Sequence, residues 1–362
     1  MCARLGHTRP KDANEMTVSK PLSLVGKTAP EIRASVEPPL VRMRRLRRSE
    51  GMRTLVRENV LTTADLILPM FVEEDISERQ PIKSMPGVFR ETEKSIITAV
   101  KDAGKAGVKS VMLFGVSHHK DDHGTDSLKA DGLMARMIRN VKDACPDMIV
   151  MADACFCEYT DHGHCGPLDD HGHVINDLTL ENLAIQAVIA ADAGADIIAP
   201  SGMMDGMVSA IRSALDENGH EDIAILSYAA KYASAFYGPF RDAAGCALKN
   251  GDRKTHQMDP ANSDEAMREV ALDLDEGADM VMVKPGLPYL DIIHRVKTDF
   301  RVPTFAYNVS GEFAMLKFAA QAGALDYERA LMEMMMAFKR AGADGILTYA
   351  AVDAANLINK RD

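Results

Sequence analysis

No apolar run in these 362 residues approaches the roughly 18 that a membrane-spanning helix requires. A spanning segment is therefore not expected. Positive charge is also scarce: 42 lysines and arginines face 53 acidic residues, for a formal net charge of −11. The chain as a whole is thus a poor binder of nucleic acid or of an anionic membrane surface. From Met1 to Ala34 there are charges but no apolar core of the kind a secretory signal carries. No glycine-rich phosphate turn follows an early strand. Only six cysteines occur, and three of them lie between positions 155 and 165. That clustering suits a metal and a reducing compartment, expected to be the cytoplasm, better than a disulfide frame.

What is present is 46% hydrophobic residues, enough for a sizeable core without crosslinks. Residues 1–37 are polar, weakly periodic and closed by Pro38-Pro39, and read as an N-terminal arm preceding a domain over residues 38–362. Met16 is an alternative start. Arg42, Arg44, Arg45, Arg47 and Arg48 follow as a basic run, the pattern of a solvated face or a subunit contact.

Beyond them one pattern recurs. A helical stretch ends in glycine, and a short unbroken apolar run begins. Gly107 precedes Ser110–Val116, Gly194 precedes Asp196–Pro200, Gly277 precedes Met280–Val283 and Gly342 precedes Ile346–Tyr349. Glycine ends helices cheaply in the left-handed conformation, and unbroken apolar runs mark buried parallel strands. Leu66–Val72, Met148–Met151 extending to Cys157, Ile223–Tyr228 and Pro303–Val309 complete a set of about eight. The expected fold is α/β, a single parallel (β/α)8 barrel, with an open doubly wound sheet as the alternative. In such a barrel the chemistry sits where strands end.

The third run ends Asp153-Ala-Cys155-Phe-Cys157, and Cys165 follows after a glycine-containing loop. Alternation places Asp153, Cys155 and Cys157 on one face if the strand persists. Three thiolates favour zinc and leave a position open; the plainer alternative is a buried pair plus a loop cysteine. His162 and His164 in that loop read as a loop histidine or an outer partner. Lys231 and Lys284 close the fifth and sixth runs. Ammonium groups at apolar strand ends depress each other's pKa, and a neutral amine attacks a ketone to form a Schiff base. Taken singly, either lysine is equally a rim residue with its stem buried. The segment from Ser234 to Asn262 carries Phe236, Tyr237, Phe240, Arg241, Arg253 and Gln257. It reads as a lid closing on a carboxylate, or else as an ordinary long loop. Tyr307 and Tyr349, on strands seven and eight, offer hydroxyls for a second carboxylate. Met332–Met336, in the last helical segment, reads as core.

Four segments then resemble the porphobilinogen synthase (5-aminolevulinate dehydratase) family: DACFCEYTDHGHCG from Asp153, SYAAKYASAFYGPFR from Ser227, MVKPGLP from Met282 and SGEF from Ser310. The likeness runs from about Pro38 to the end. It implies a barrel with an arm, assembled as a homo-octamer, that condenses two 5-aminolevulinic acid molecules to porphobilinogen with loss of water in tetrapyrrole synthesis. It implies that Lys284 and Lys231 form the imines on the propionate and acetate sides, and that Cys155, Cys157 and Cys165 are the zinc ligands. Arg241, Arg253 and Gln257 fall where the acetate-side carboxylate is held, and Ser310 and Tyr349 where the propionate-side one is held. Glu269 resembles the ligand of an allosteric magnesium at subunit contacts. Asp153 bears on proton transfer. Where the family commonly has an acid and an arginine, this chain has Gly202 and Met207, which alters the polar network beside Lys231. A Schiff-base aldolase, needing one lysine, and a non-catalytic metal-binding barrel are the competing readings.

Overall fold

A computed structural model describes residues 39–249 and 251–360. The arm expected over residues 1–37 and the alternative start at Met16 lie outside these. The described residues divide into two compact units at Arg57–Glu58. In the first, a 3-10 turn over Met43–Arg47 precedes a short helix, Glu50–Leu55. Ser49 caps that helix, its hydroxyl accepting from Met52 N at 3.2 Å. Arg42, Arg44, Arg45, Arg47 and Arg48 are all exposed.

The second unit is a closed barrel. Its strands are β1 (Leu66–Glu73), β2 (Ser110–Val116), β3 (Ile149–Ala154), β4 (Ile197–Pro200), β5 (Ala224–Lys231), β6 (Met280–Lys284), β7 (Thr304–Asn308) and β8 (Gly345–Thr348). Each pairs in parallel with its sequence neighbour, and β8 returns to β1 through Leu66↔Ile346 and Ile67↔Leu347. The eight apolar runs are therefore the eight barrel strands. β2 is buried along its whole length, as a strand covered on both faces must be. A small hairpin, Gln80–Pro81 with Phe89–Glu91, is added at β1.

Nine longer helices lie in the second unit: α1 (Ser95–Lys105), α2 (Leu133–Ala144), α3 (Asn176–Asp192), α4 (Met207–Glu217), α5 (Asp264–Asp275), α6 (Leu290–Phe300), α7 (Ser310–Gln321), α8 (Tyr327–Ala341) and α9 (Ala351–Asn359). Gly107, Gly194, Gly277 and Gly342 all have positive φ where a helix hands over to a strand, as their position in the repeat requires. The Met-rich stretch lies in α8, with Met332 and Met335 buried. It is not the last helical segment, because β8 and α9 follow. Among the described residues, no helix is long and apolar enough to cross a membrane.

Candidate active site

Lys231 and Lys284 are the last residues of β5 and β6 and stand directly opposite each other in the ladder. Both are 5% exposed. The Lys284 amine lies inside four aromatic rings, 4.4 Å from the centroid of Tyr307, 4.9 Å from Tyr228, 5.1 Å from Phe240 and 5.5 Å from Tyr237. Burial pushes its pKa down to about 7, and the Lys231 charge acts in the same direction. The Lys231 amine donates to the Ser201 carbonyl and lies 5.5 Å from the Tyr228 ring. Ser201 Oγ in turn donates to Asp153 Oδ2 at 3.1 Å. Gly202 is buried beside this network, and Met207 packs into the core at the start of α4. Asp153 is buried, and desolvation raises its carboxyl to about 7 with help from Cys155.

The cysteines differ from expectation in one respect. β3 stops at Ala154 rather than persisting to Cys157, so strand alternation does not align them. The chain instead rolls into a turn in which the Tyr159 and Thr160 amides donate to the Phe156 carbonyl at 2.9 and 2.8 Å. The sulfurs of Cys155, Cys157 and Cys165 nonetheless lie within 4.8 Å of one another, all buried. Hydrogen bonds from Cys155 and Cys157 hold the Cys165 thiol well below its ordinary pKa, while Cys157, donating within the cluster, is pushed well above it. Three soft donors, one already acidified, form a set able to hold a metal ion. In the same loop, His162 Nε2 meets the Asp122 carbonyl at 3.1 Å, and His164 is buried.

The segment after β5 does form a lid. Tyr237 OH donates to the carbonyls of Tyr232 at 2.8 Å and Lys284 at 3.1 Å. The Met258 amide donates to the Lys231 carbonyl at 3.1 Å. Phe240 packs on Phe114 and Phe71, centroids 5.2 and 5.7 Å away. The Phe236 backbone lies over Gly311, where an added Cβ would come within 2.5 Å of the Phe236 carbonyl oxygen; no larger residue fits without moving the lid. Arg241 Nε, Arg253 Nε and Gln257 Nε2 are all buried and lack a hydrogen-bond partner. Arg253 NH2 donates to the Gly163 carbonyl at 2.7 Å, and the guanidinium also hydrogen-bonds the Cys246 sulfur. Burial opposes its charge, and the neighbouring cysteines more than offset that.

Ser310 Oγ accepts from the Phe240 amide at 2.9 Å and donates to the Phe236 carbonyl at 3.3 Å, so it engages the lid backbone. Tyr349 lies just past β8, its hydroxyl 3.0 Å from that of Tyr307. Glu269 is on α5, away from the lysines, in a cleft of about 330 Å³ shared with Asp205, Asp259 and Glu265. Burial raises its pKa, as does the nearby charge of Asp205. Sequence reasoning missed Glu158, a buried carboxyl pushed well up by desolvation and by Cys155. It also missed Cys246, a buried lid thiol hydrogen-bonded with the Cys157 thiol, and the ring contact of Tyr228 with both amines. Glu158 follows Cys157 directly, and that adjacency was the available signal.

Comparison with known proteins agrees with this geometry. Residues 40–357 match the family model described as Delta-aminolevulinic acid dehydratase. The chain is 55% identical to the Escherichia coli (strain K12) protein of that name over 314 residues, 87% of this chain and 96% of the relative. It is 52% identical to the Synechocystis protein of that name over 320 residues, 88% of this chain and 98% of the relative. Among solved structures it resembles a Toxoplasma gondii delta-aminolevulinic acid dehydratase (porphobilinogen synthase) in complex with the reaction product porphobilinogen. The TM-score is 0.88 at 45% identity, covering 90% of this chain and 93% of that one.

Proposed function

This chain belongs to the delta-aminolevulinic acid dehydratase family, and from that membership we infer how its barrel mouth carries out the family's lyase reaction. Two molecules of 5-aminolevulinic acid condense to porphobilinogen with loss of water. The observation that carries the residue assignment is the pair of buried amines at paired strand ends, one of them near neutral at about pH 7. A neutral amine adds to a ketone, and expulsion of water leaves an electrophilic iminium. Lys284 takes the propionate-side substrate and Lys231 the acetate-side one. Aromatic faces around Lys284 accept the cationic imine, because a ring quadrupole favours positive charge. Holding both substrates in one pocket supplies effective molarity, up to about 7–11 kcal/mol at best.

Arg241, Arg253 and Gln257 hold the acetate-side carboxylate. The support is their three buried donor nitrogens without protein partners, since a buried donor is rarely left unpaired. Ser310 and Tyr349 serve the propionate-side carboxylate, which requires Ser310 to exchange its lid contacts for substrate. Tyr237 and Phe240 roof the Lys284 amine. Asp153, poised near pH 7 within reach of both amines' charge, holds and returns a proton. Zinc suits the three-thiol set; Cys155, Cys157 and Cys165 would hold it, and when bound it supplies Lewis acidity toward the acetate-side substrate. A Schiff-base aldolase would leave the second buried lysine without a role.

We extend the proposal to assembly: a homo-octamer with residues 1–37 as its arm and the barrel beyond, placed in the cytoplasm and regulated by magnesium at Glu269. The acidic cleft at Glu269 supports the last point. Magnesium should raise activity and favour the larger oligomer, and Glu269→Ala should remove both effects in sizing chromatography and assays. The function itself is tested by incubation with 5-aminolevulinic acid, assaying for a pyrrole before and after chelation. Absence of pyrrole from metal-loaded protein refutes it.

A further inference from the structure

Lys231 faces the barrel lumen only because β5 is irregular. In a regular strand side chains alternate, so a residue three positions from an inward one faces outward. Tyr228 points inward: its hydroxyl meets Met112 Sδ at 2.8 Å, and both lysine amines lie over its ring. Counted regularly from Tyr228, Lys231 would face the helices. The ladder resolves the conflict. Ser227 pairs with Val281, but Ala230 pairs with Val283, so three steps on β5 match two on β6. One extra residue is taken up as a β-bulge, which reverses the alternation and returns Lys231 to the lumen.

Beyond the bulge, the strand end is held from both sides: the Tyr232 amide donates to the Lys284 carbonyl at 2.9 Å, and the Met258 amide to that of Lys231 at 3.1 Å. Ahead of it, the last residue in regular register is Ser227, whose side chain faces outward. Ser227 is fully buried, and its hydroxyl donates to Asp273 Oδ2 on α5 at 2.5 Å. Asp273 is itself 8% exposed, and no other side chain among the described residues bonds its carboxyl. A carboxyl kept from water for one serine hydroxyl stabilises little by itself.

We propose that Asp273, acting through Ser227, is a positioning residue for Lys231: it pins the start of the β5 bulge and so presents the second amine to the site. The proposal rests on the reading of Lys231 as an imine-forming lysine, but the presentation of its amine is testable without substrate.

The test uses the full chain as Asp273→Ala, Ser227→Ala and Asp273→Asn, the last retaining an acceptor oxygen for the hydroxyl. Formaldehyde with borohydride methylates accessible amines, and peptide mass spectrometry reads Lys231 and Lys284 separately. In Asp273→Ala, methylation at Lys231 should change at least about threefold while Lys284 stays as in the wild type. Turnover should fall about tenfold to a hundredfold, the scale of a roughly 1 Å misplacement, while borohydride trapping of 5-aminolevulinic acid at Lys284 persists. Asp273→Asn should restore both readouts to within about twofold. Unchanged Lys231 reactivity in a folded Asp273→Ala protein, or equal loss at both lysines, overturns the proposal. So does an Asp273→Asn protein as impaired as the alanine variant. If Asp273→Ala does not fold, Ser227→Ala carries the same expectations and the same refutations. Failure of the functional reading is separate: it leaves no 5-aminolevulinic acid adduct in the wild type, while the methylation pattern still reports on the bulge.

Discussion

Replacing Lys231 by methionine keeps a long unbranched side chain beside Lys284 and removes one positive charge. Lysine ordinarily titrates at 10.5, whereas Lys284 sits at about 7. At pH 7 about half of it is therefore neutral, against about one in three thousand for an unperturbed lysine. Both amines lie over the Tyr228 ring, at 5.5 and 4.9 Å from its centroid, so they are at most about 10 Å apart. At an effective dielectric of ~20, two like charges no farther apart than that repel by at least about 1.6 kcal/mol, which is at least about one pKa unit. Burial, the larger cause, is untouched by the substitution. The Lys284 midpoint should then rise by at least about one unit and, because burial is the larger cause, remain below the ordinary lysine range. Only the neutral amine forms the imine, so the rate of borohydride trapping of 5-aminolevulinic acid at the Lys284 peptide, followed from about pH 5 to 10, reads this midpoint. Turnover should be abolished in the same variant. A wild-type midpoint near 10, or one that Lys231→Met does not move, refutes the reasoning; trapping confined to surface lysines refutes the assignment of Lys284.

The depressed Lys284 value also acts on stability. The unfolded chain holds its proton up to about 10.5, so the contribution is full above that value and is lost as pH falls toward about 7. Denaturant melts should therefore show the wild type gaining about 2 kcal/mol between pH 7 and 9 relative to Lys284→Met; parallel curves would contradict this. Cys165→Ala should bring bound zinc, measured by elemental analysis, to background along with activity, and lead should compete for the same sulfurs. Retained zinc would exclude these ligands. Arg253→Lys should raise KM about tenfold or more with a smaller change in kcat, because a point charge replaces a planar fork; an unchanged KM removes Arg253 from the carboxylate site. Gly311→Ala forces its new methyl against the Phe236 backbone. It should cost about tenfold in kcat/KM and speed proteolysis within the lid, and wild-type values for both would mean that the lid does not close on this residue.

The barrel was legible because its signals are local. Each strand is an unbroken apolar run, and four of the helices hand over at a glycine whose φ the structure finds positive. Lys231 and Lys284 were legible because a charged residue ending such a run is conspicuous. The cysteines were found for a partly mistaken reason: spacing suggested one face of a strand, whereas the turn after Ala154 gathers them. What stayed hidden depends on non-local geometry. A bulge changes the parity of β5, so no count along the sequence could put Tyr228 and Lys231 on the same side. Cys246 meets Cys157 only once the lid has folded over the mouth. Ser310 read as a hydroxyl for the propionate-side carboxylate; that α7 brings it beneath the lid, where it bonds backbone groups of Phe236 and Phe240, was not legible.

The lid is tied to the carbonyl oxygens of the two lysines that it covers. Tyr237 bonds that of Lys284, and the Met258 amide bonds that of Lys231. Cover and reactive floor are thus one mechanical part. An engineer wishing to admit a bulkier keto acid could not transplant a roomier lid from another barrel as a self-contained cassette, because the graft would also re-seat both amines. Enlargement would have to come from side chains that touch neither carbonyl, with Phe240 the first position to vary.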